Sequence, residues 1–155
     1  MVRYVGGCHC RNVTYVLDWP VRGPLPLRTC SCAFCTKQSA IYLGHPDGRL
    51  RVSVGDASRL SAYKFSTHTA EFRSCQSCGV FLFAVCPIDG EDHAVLNVHT
   101  IENFTIPKVV ERRDHDGEAV EGRLDRRRET WIGQVEWVVA TSAPDAGESD
   151  GDKRH

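Results

Sequence analysis

"FRSCQSCGVFLFAV", residues 72–85, joins a metal-binding turn to a strand. Cys75 and Cys78 form a C-x-x-C pair, and Gly79 follows at once. A turn that folds two thiolates toward one ion needs a residue free to enter the left-handed region, and glycine does so without steric cost. The next six residues, Val80 to Val85, are all apolar. A short apolar run rich in β-branched and aromatic residues, bounded by turn signals, reads as a buried central strand. A mainly β domain stapled by metal follows from these fourteen positions.

Working outward, further strands fall on both sides. "NVTYVL" (12–17) puts Val13, Tyr15 and Leu17 on one face, and "RLRVSV" (49–54) does the same with Leu50, Val52 and Val54. "LSAYKF" (60–65), "HAVLNV" (93–98) and "VEWVVA" (135–140) complete the set. "WPVRGPLP", "GHPDG", "VGDAS" and "PIDGED" mark turns between strands. A short helical turn is expected at 33–38. "DGEAVEGRLDRRRETW" (116–131) has acids early and arginines late, the order a helix dipole favours, with Val120, Leu124 and Trp131 near one face. Residues 1–140 are expected to form a single domain. Residues 141–155 hold no large apolar side chain and are expected to be a disordered polar tail.

Composition narrows the function. The chain has 155 residues and a formal charge of −1, so no strong field selects nucleic acid or an anionic membrane. No run of eighteen apolar residues exists to span a bilayer. The opening "MVRYVGGCHC" lacks a basic region followed by an apolar one, so a cytoplasmic location is expected.

Eight cysteines in a reducing compartment point to metal rather than disulfides. Besides Cys75 and Cys78, Cys8 and Cys10 form C-x-C, and Cys30, Cys32 and Cys35 form C-x-C-x-x-C. Cys86 stands alone and reads as a small buried hydrophobe. Seven clustered thiols divide into four and three. Four close a tetrahedral site, whereas three leave a position for an exchangeable ligand, the usual form of catalytic zinc. Two alternatives remain at this level. His9 or His68 would close the second site if either ligates, and an iron–sulfur cluster is chemically possible although C-x-C pairs suit it poorly.

"GGCHCRNVTY", "CSCAFCTK", "VGDASRLSAYKF", "FRSCQSCGVFLF" and "VLNVHTIENF" follow one another in an order and spacing that resembles the glutathione-dependent formaldehyde-activating enzyme (Gfa) family, over roughly residues 5 to 105. The resemblance implies a β-tent fold of antiparallel sheets carrying zinc. It implies a structural zinc on Cys8, Cys10, Cys75 and Cys78, and a catalytic zinc on Cys30, Cys32 and Cys35. It also implies a carbon–sulfur lyase that forms or cleaves a glutathione-like thiol adduct of a small aldehyde. Ser31 stands where a histidine is common, and His99 where a glycine is frequent.

Three thiolates on Zn2+ make a weak Lewis acid, better suited to holding another thiol as its thiolate than to polarising a carbonyl. Lys37 is placed to balance charge or meet a substrate carboxylate, or else is an ordinary exposed lysine. Arg126, Arg127 and Arg128 read as an oxyanion site or as a solvated helix face. The competing reading is a non-catalytic zinc-stapled β-tent module that binds a partner.

Overall fold

The computed structural model describes residues 1–108 and 110–140; the tail expected at 141–155 lies outside the described residues. The strands are β1 (Val2–Gly7), β2 (Val13–Trp19), β3 (Arg28–Cys30), β4 (Tyr42–Leu43), β5 (Arg49–Val54), β6 (Leu60–Tyr63), β7 (Glu71–Cys75), β8 (Phe81–Ile88), β9 (Glu91–Asn97), β10 (Glu111–Arg113) and β11 (Gln134–Val139). Two helices accompany them, α1 (Ala33–Gln38) and α2 (Val120–Thr130).

Strict alternation builds the first sheet, ordered β1-β2-β5-β11. Val13, Tyr15, Leu17 and Trp19 of β2 are buried, as are Leu50, Val52 and Val54 of β5. Their partners on the other face stay wet, as period-two strands require. The second sheet runs β10-β3-β4-β9-β8-β7-β6. Both sheets are mixed, because β11 pairs β5 in parallel and β10 pairs β3 in parallel, while the other pairs are antiparallel.

The unbroken apolar run resolves into two buried faces. Leu82, Phe83 and Val85 join the core shared with the first sheet, while Phe81, Ala84, Cys86 and Ile88 face the other way. Opposite Arg73 and Ser74 the register steps from Phe83 to Phe81, which leaves Leu82 as the extra residue of a bulge. That step lets Leu82 and its neighbour Phe83 both enter the central core. Each such fully buried side chain contributes roughly 1.5–3 kcal/mol relative to exposure.

The outer face of the second sheet is covered by α1 and α2. Cys35, Tyr42, Ala84, Val95 and Trp131 pack there, with Leu124 against them. The helix expected at 116–131 starts later, after Gly117 takes a φ of 73°. Its apolar stripe is shorter than the sequence suggests. Leu124 and Trp131 pack inward, but Val120 is exposed, and the one buried residue of α2 is Arg127.

Candidate metal centres and cavity

The four-cysteine cluster lies where turns of the two sheets meet. Cys8 and Cys10 sit on the β1–β2 turn, Cys75 ends β7, and Cys78 lies on the β7–β8 turn. The first turn is shaped by Arg11 at a φ of 64°, whose N–H donates to the Cys8 carbonyl at 3.2 Å. In the second, Gly79 has a φ of 79° and donates to the Cys75 carbonyl at 2.7 Å. All four sulfurs lie within 4.8 Å of one another. Cys8 and Cys10 Sγ are 3.7 Å apart, and Cys10 and Cys75 Sγ 3.5 Å. Zinc–sulfur bonds of 2.3 Å in a tetrahedron place sulfurs about 3.8 Å apart, so the cluster fits a zinc ion.

The surroundings shift these thiols unequally. Burial pushes the Cys8 thiol up to about 12. Burial also opposes ionisation of Cys78, but the backbone N–H groups of Cys10 and Val80 prevail and bring it down to about 6.

The trio is set by one strand end and one helix start. Cys30 ends β3, Cys32 caps α1, and Cys35 lies buried in its first turn. The Cys35 N–H donates to Cys32 Sγ at 3.4 Å, the bond an N-cap side chain makes. The three sulfurs lie within 4.8 Å of one another. Tyr42 of β4 brings its hydroxyl to 3.0 Å from Cys35 Sγ. Within the trio the Cys35 thiol supports a thiolate on Cys30; against burial, and aided by the Cys32 N–H and the Arg126 charge, this lowers Cys30 to about 5. Cys35 is correspondingly raised by Cys30 and by burial, and burial raises Tyr42.

The trio opens into a cavity of about 800 Å³. One wall is aromatic, formed by Phe34, Tyr63, Phe65 and Phe72. Phe72 lies with its ring centroid 4.8 Å from those of both Phe34 and Phe65. The other wall is cationic. Arg28, Arg123, Arg126 and Arg127 line it, with His115 beside them. Arg126 forks onto Glu118 at 3.0–3.2 Å. Arg127, only 5% exposed, donates to Thr69 Oγ1 at 2.7 Å, touches Cys86 Sγ at 3.4 Å and lies 4.8 Å over the Trp131 ring. Arg28 donates to the Thr130 carbonyl at 3.0 Å, and burial lowers its pKa to about 10. Burial also lowers His115.

The structure thus gathers all seven clustered cysteines into the two groups expected of them. Cys86 is fully buried in β8, outside both groups. His9 and His68 are exposed and join neither. Lys37 is exposed on the cavity rim. The arginine run does not act as a unit, because Arg126 faces Glu118, Arg127 is buried, and Arg128 pairs with Asp89 and Asp125. Sequence reasoning missed Tyr42, Arg28 and the aromatic wall. Phe34, inside the trio, is the one local signal that marks that wall.

A mainly β scaffold with four thiols in one cluster and three in another defines a protein with cysteine-ligated metal sites of the kind that suits zinc. The chain belongs to the glutathione-dependent formaldehyde-activating enzyme family, whose model matches residues 3–115. Its structure is similar to the crystal structure of a Rhodobacter sphaeroides protein solved as a structural-genomics target. The two share 28% identity at a TM-score of 0.54, over 70% of this chain and 99% of that one.

Proposed function

We propose that the chain is a zinc-dependent enzyme of the carbon–sulfur lyase type, acting on the adduct of a small glutathione-like thiol with an aldehyde or related electrophile. In this reading residues 1–140 form one zinc-binding domain. Cys8, Cys10, Cys75 and Cys78 hold a structural zinc, and Cys30, Cys32 and Cys35 a catalytic one. The observation that supports it most is the trio's placement. Three sulfurs converge on a cavity wall, and among the described residues no fourth Cys, His, Asp or Glu joins them.

Zinc held by the trio would supply a cation able to keep a coordinated substrate thiol ionised. The protein's own groups do the rest. The Tyr42 hydroxyl orients Cys35, and the backbone cap at Cys32 fixes the spacing of the two sulfurs. The aromatic wall gives the reactants an apolar surface beside the trio, which converts an encounter into a local event. In the forward direction a sulfur–carbon bond forms, the carbonyl π pair moves to oxygen, and that oxygen takes up the proton the thiol has lost. The reverse breaks the same bond.

The test is thiol-dependent aldehyde consumption by the zinc-loaded protein and by Cys32→Ser. The rate should fall at least a hundredfold, on the order of a lost metal or nucleophile-orienting group. An unchanged rate in the variant removes the trio from the chemistry.

A further inference from the structure

The cationic wall has more positive charge than the protein itself answers. Four guanidiniums line the cavity, and Glu118 is the one carboxylate among the described residues within ion-pair distance of any of them. It lies 3.0 Å from Arg126 and 3.7 Å from Arg123. Arg28 has only the Thr130 carbonyl, and Arg127 only Thr69, Cys86 and the Trp131 face. The Nε atoms of Arg123 and Arg127 are buried with no hydrogen-bond acceptor; Arg123 makes one hydrogen bond, to the His115 carbonyl at 3.2 Å. Arg123 and Arg126 are only 16% and 22% exposed, so bulk water does not serve them well. Cations withdrawn from water call for a counter-charge, and leaving them without one is costly.

Nearby acids do not fill this need. Asp114 and Asp116 lie on the same rim but are exposed, and the Asp114 carboxylate already accepts the Asp116 N–H at 2.9 Å. A metal-loaded trio carries about one net negative charge, fewer than the unanswered guanidiniums. Guanidinium presents a planar fork that matches a carboxylate through two parallel bonds.

We propose that β3 and α2 form a carboxylate-binding subsite in this cavity, built on Arg28, Arg123 and Arg126, which holds an acidic group of the molecule handled at the trio. The substrate assignment rests on the proposed reaction at the trio; the carboxylate site does not. Two of its three arginines, Arg123 and Arg126, stand on α2, beyond residue 115, where the family match ends.

The experiment has two parts, each on the full zinc-loaded chain. Succinate, which lacks a thiol, is titrated calorimetrically into the wild type, Arg126→Gln, Arg126→Lys and Arg28→Gln, with circular dichroism to verify folding. The glutamine variants should bind roughly tenfold or more weakly, the loss expected for one charge-assisted hydrogen bond, and the lysine variant should recover part of it. Equal affinity across all four, or tighter binding of inorganic phosphate than of succinate, overturns the carboxylate site.

Turnover then separates the sources of the acid. With formaldehyde fixed, 3-mercaptopropionate is compared with 2-mercaptoethanol; with 2-mercaptoethanol fixed, glyoxylate is compared with glycolaldehyde. A lower KM for the acid of the first pair, lost in Arg126→Gln, assigns the carboxylate to the thiol. The same result in the second pair assigns it to the electrophile. No preference in either pair overturns the substrate assignment. Succinate binding that depends on Arg126, beside turnover that ignores Cys32→Ser, sinks the reaction at the trio and leaves the subsite standing.

Discussion

Cys10 and Cys75 are 65 positions apart in the chain, yet their sulfurs lie 3.5 Å apart. One sits on a turn of the four-stranded sheet and the other ends β7 of the seven-stranded sheet. The four-thiol cluster is therefore a joint between layers. It holds the first hairpin of the chain against the β7–β8 hairpin of the second sheet.

Breaking that joint should unfold the protein. Structural zinc contributes roughly 10 kcal/mol or more of apparent folding energy in small domains, comparable with a whole domain's net stability. Cys75 is fully buried, so Cys75→Ser also leaves a hydroxyl with no water to meet it. The expected product is insoluble or lacks a cooperative melt. Cys86 is equally buried but ligates nothing in either cluster, and Cys86→Ala should cost only about 1–2 kcal/mol. A soluble Cys75→Ser protein with the wild-type melting temperature would remove the structural role.

Two glycines should respond oppositely to alanine. A Cβ at Gly6 would collide with the Thr100 carbonyl and the Tyr15 hydroxyl, neither of which has room to withdraw, because Tyr15 is buried and bonded to Thr100 Oγ1 at 2.8 Å. Gly6→Ala should destabilise by about 1–3 kcal/mol, the usual range for overpacking. Gly122 lies inside α2 and has open space around it. Gly122→Ala should stabilise by about 0.5–1 kcal/mol through helix propensity and reduced freedom of the unfolded chain. Denaturant midpoints decide both, and a stabilised Gly6→Ala would contradict the close approach of β1 to Thr100.

Acid should weaken the seating of α2. The hydrogen bonds from Arg126 hold the Glu118 carboxyl below its ordinary range, against the opposing effect of burial. A folded-state pKa below the unfolded one means that the stabilisation is complete above the ordinary glutamate value, about 4.3, and is lost as pH falls through the folded value. The stability gap between the wild type and Glu118→Gln should therefore be level above about pH 5 and shrink as pH falls below that range. A gap that widens in acid would show that the carboxylate is not the form Arg126 holds.

Period and spacing made six of the eleven described strands and both cysteine groups legible; β1 and β7 were not, β7 because its five residues, Glu71–Cys75, mix polar and apolar side chains with no buried stripe. The alternation at 49–54 marks β5 to the residue, and the apolar run at 80–85 marks the strand buried on both faces. The short strands β3, β4 and β10 left no such trace, because two or three residues cannot show a period. Tyr42 illustrates the cost. Its hydroxyl meets Cys35 because β4 pairs with β3 and β9, a register that no local pattern encodes. Arg127 failed for the converse reason. In a run of three arginines a solvated face is the ordinary expectation, and only the packing of Trp131, Thr69 and Cys86 around it makes it internal.

The trio should keep an exchangeable fourth position. Its three sulfurs converge beside a cavity, whereas the other cluster supplies its own fourth ligand. Serine is itself a favoured N-cap, so Cys32→Ser preserves the start of α1 while changing the donor set. The variant should fold with a melting temperature close to wild type, because the four-cysteine joint is untouched, and should lose thiol-dependent activity. It should also release its second metal to a chelator well before the first, since two sulfurs hold an ion less firmly than four. X-ray absorption of protein with cobalt exchanged into the trio reads the coordination directly. Adding 2-mercaptoethanol should raise the sulfur count at that metal from about three to about four. A count of four before any thiol is added, or a Cys32→Ser variant as badly unfolded as Cys75→Ser, would make this second centre structural and leave the cavity without its reaction.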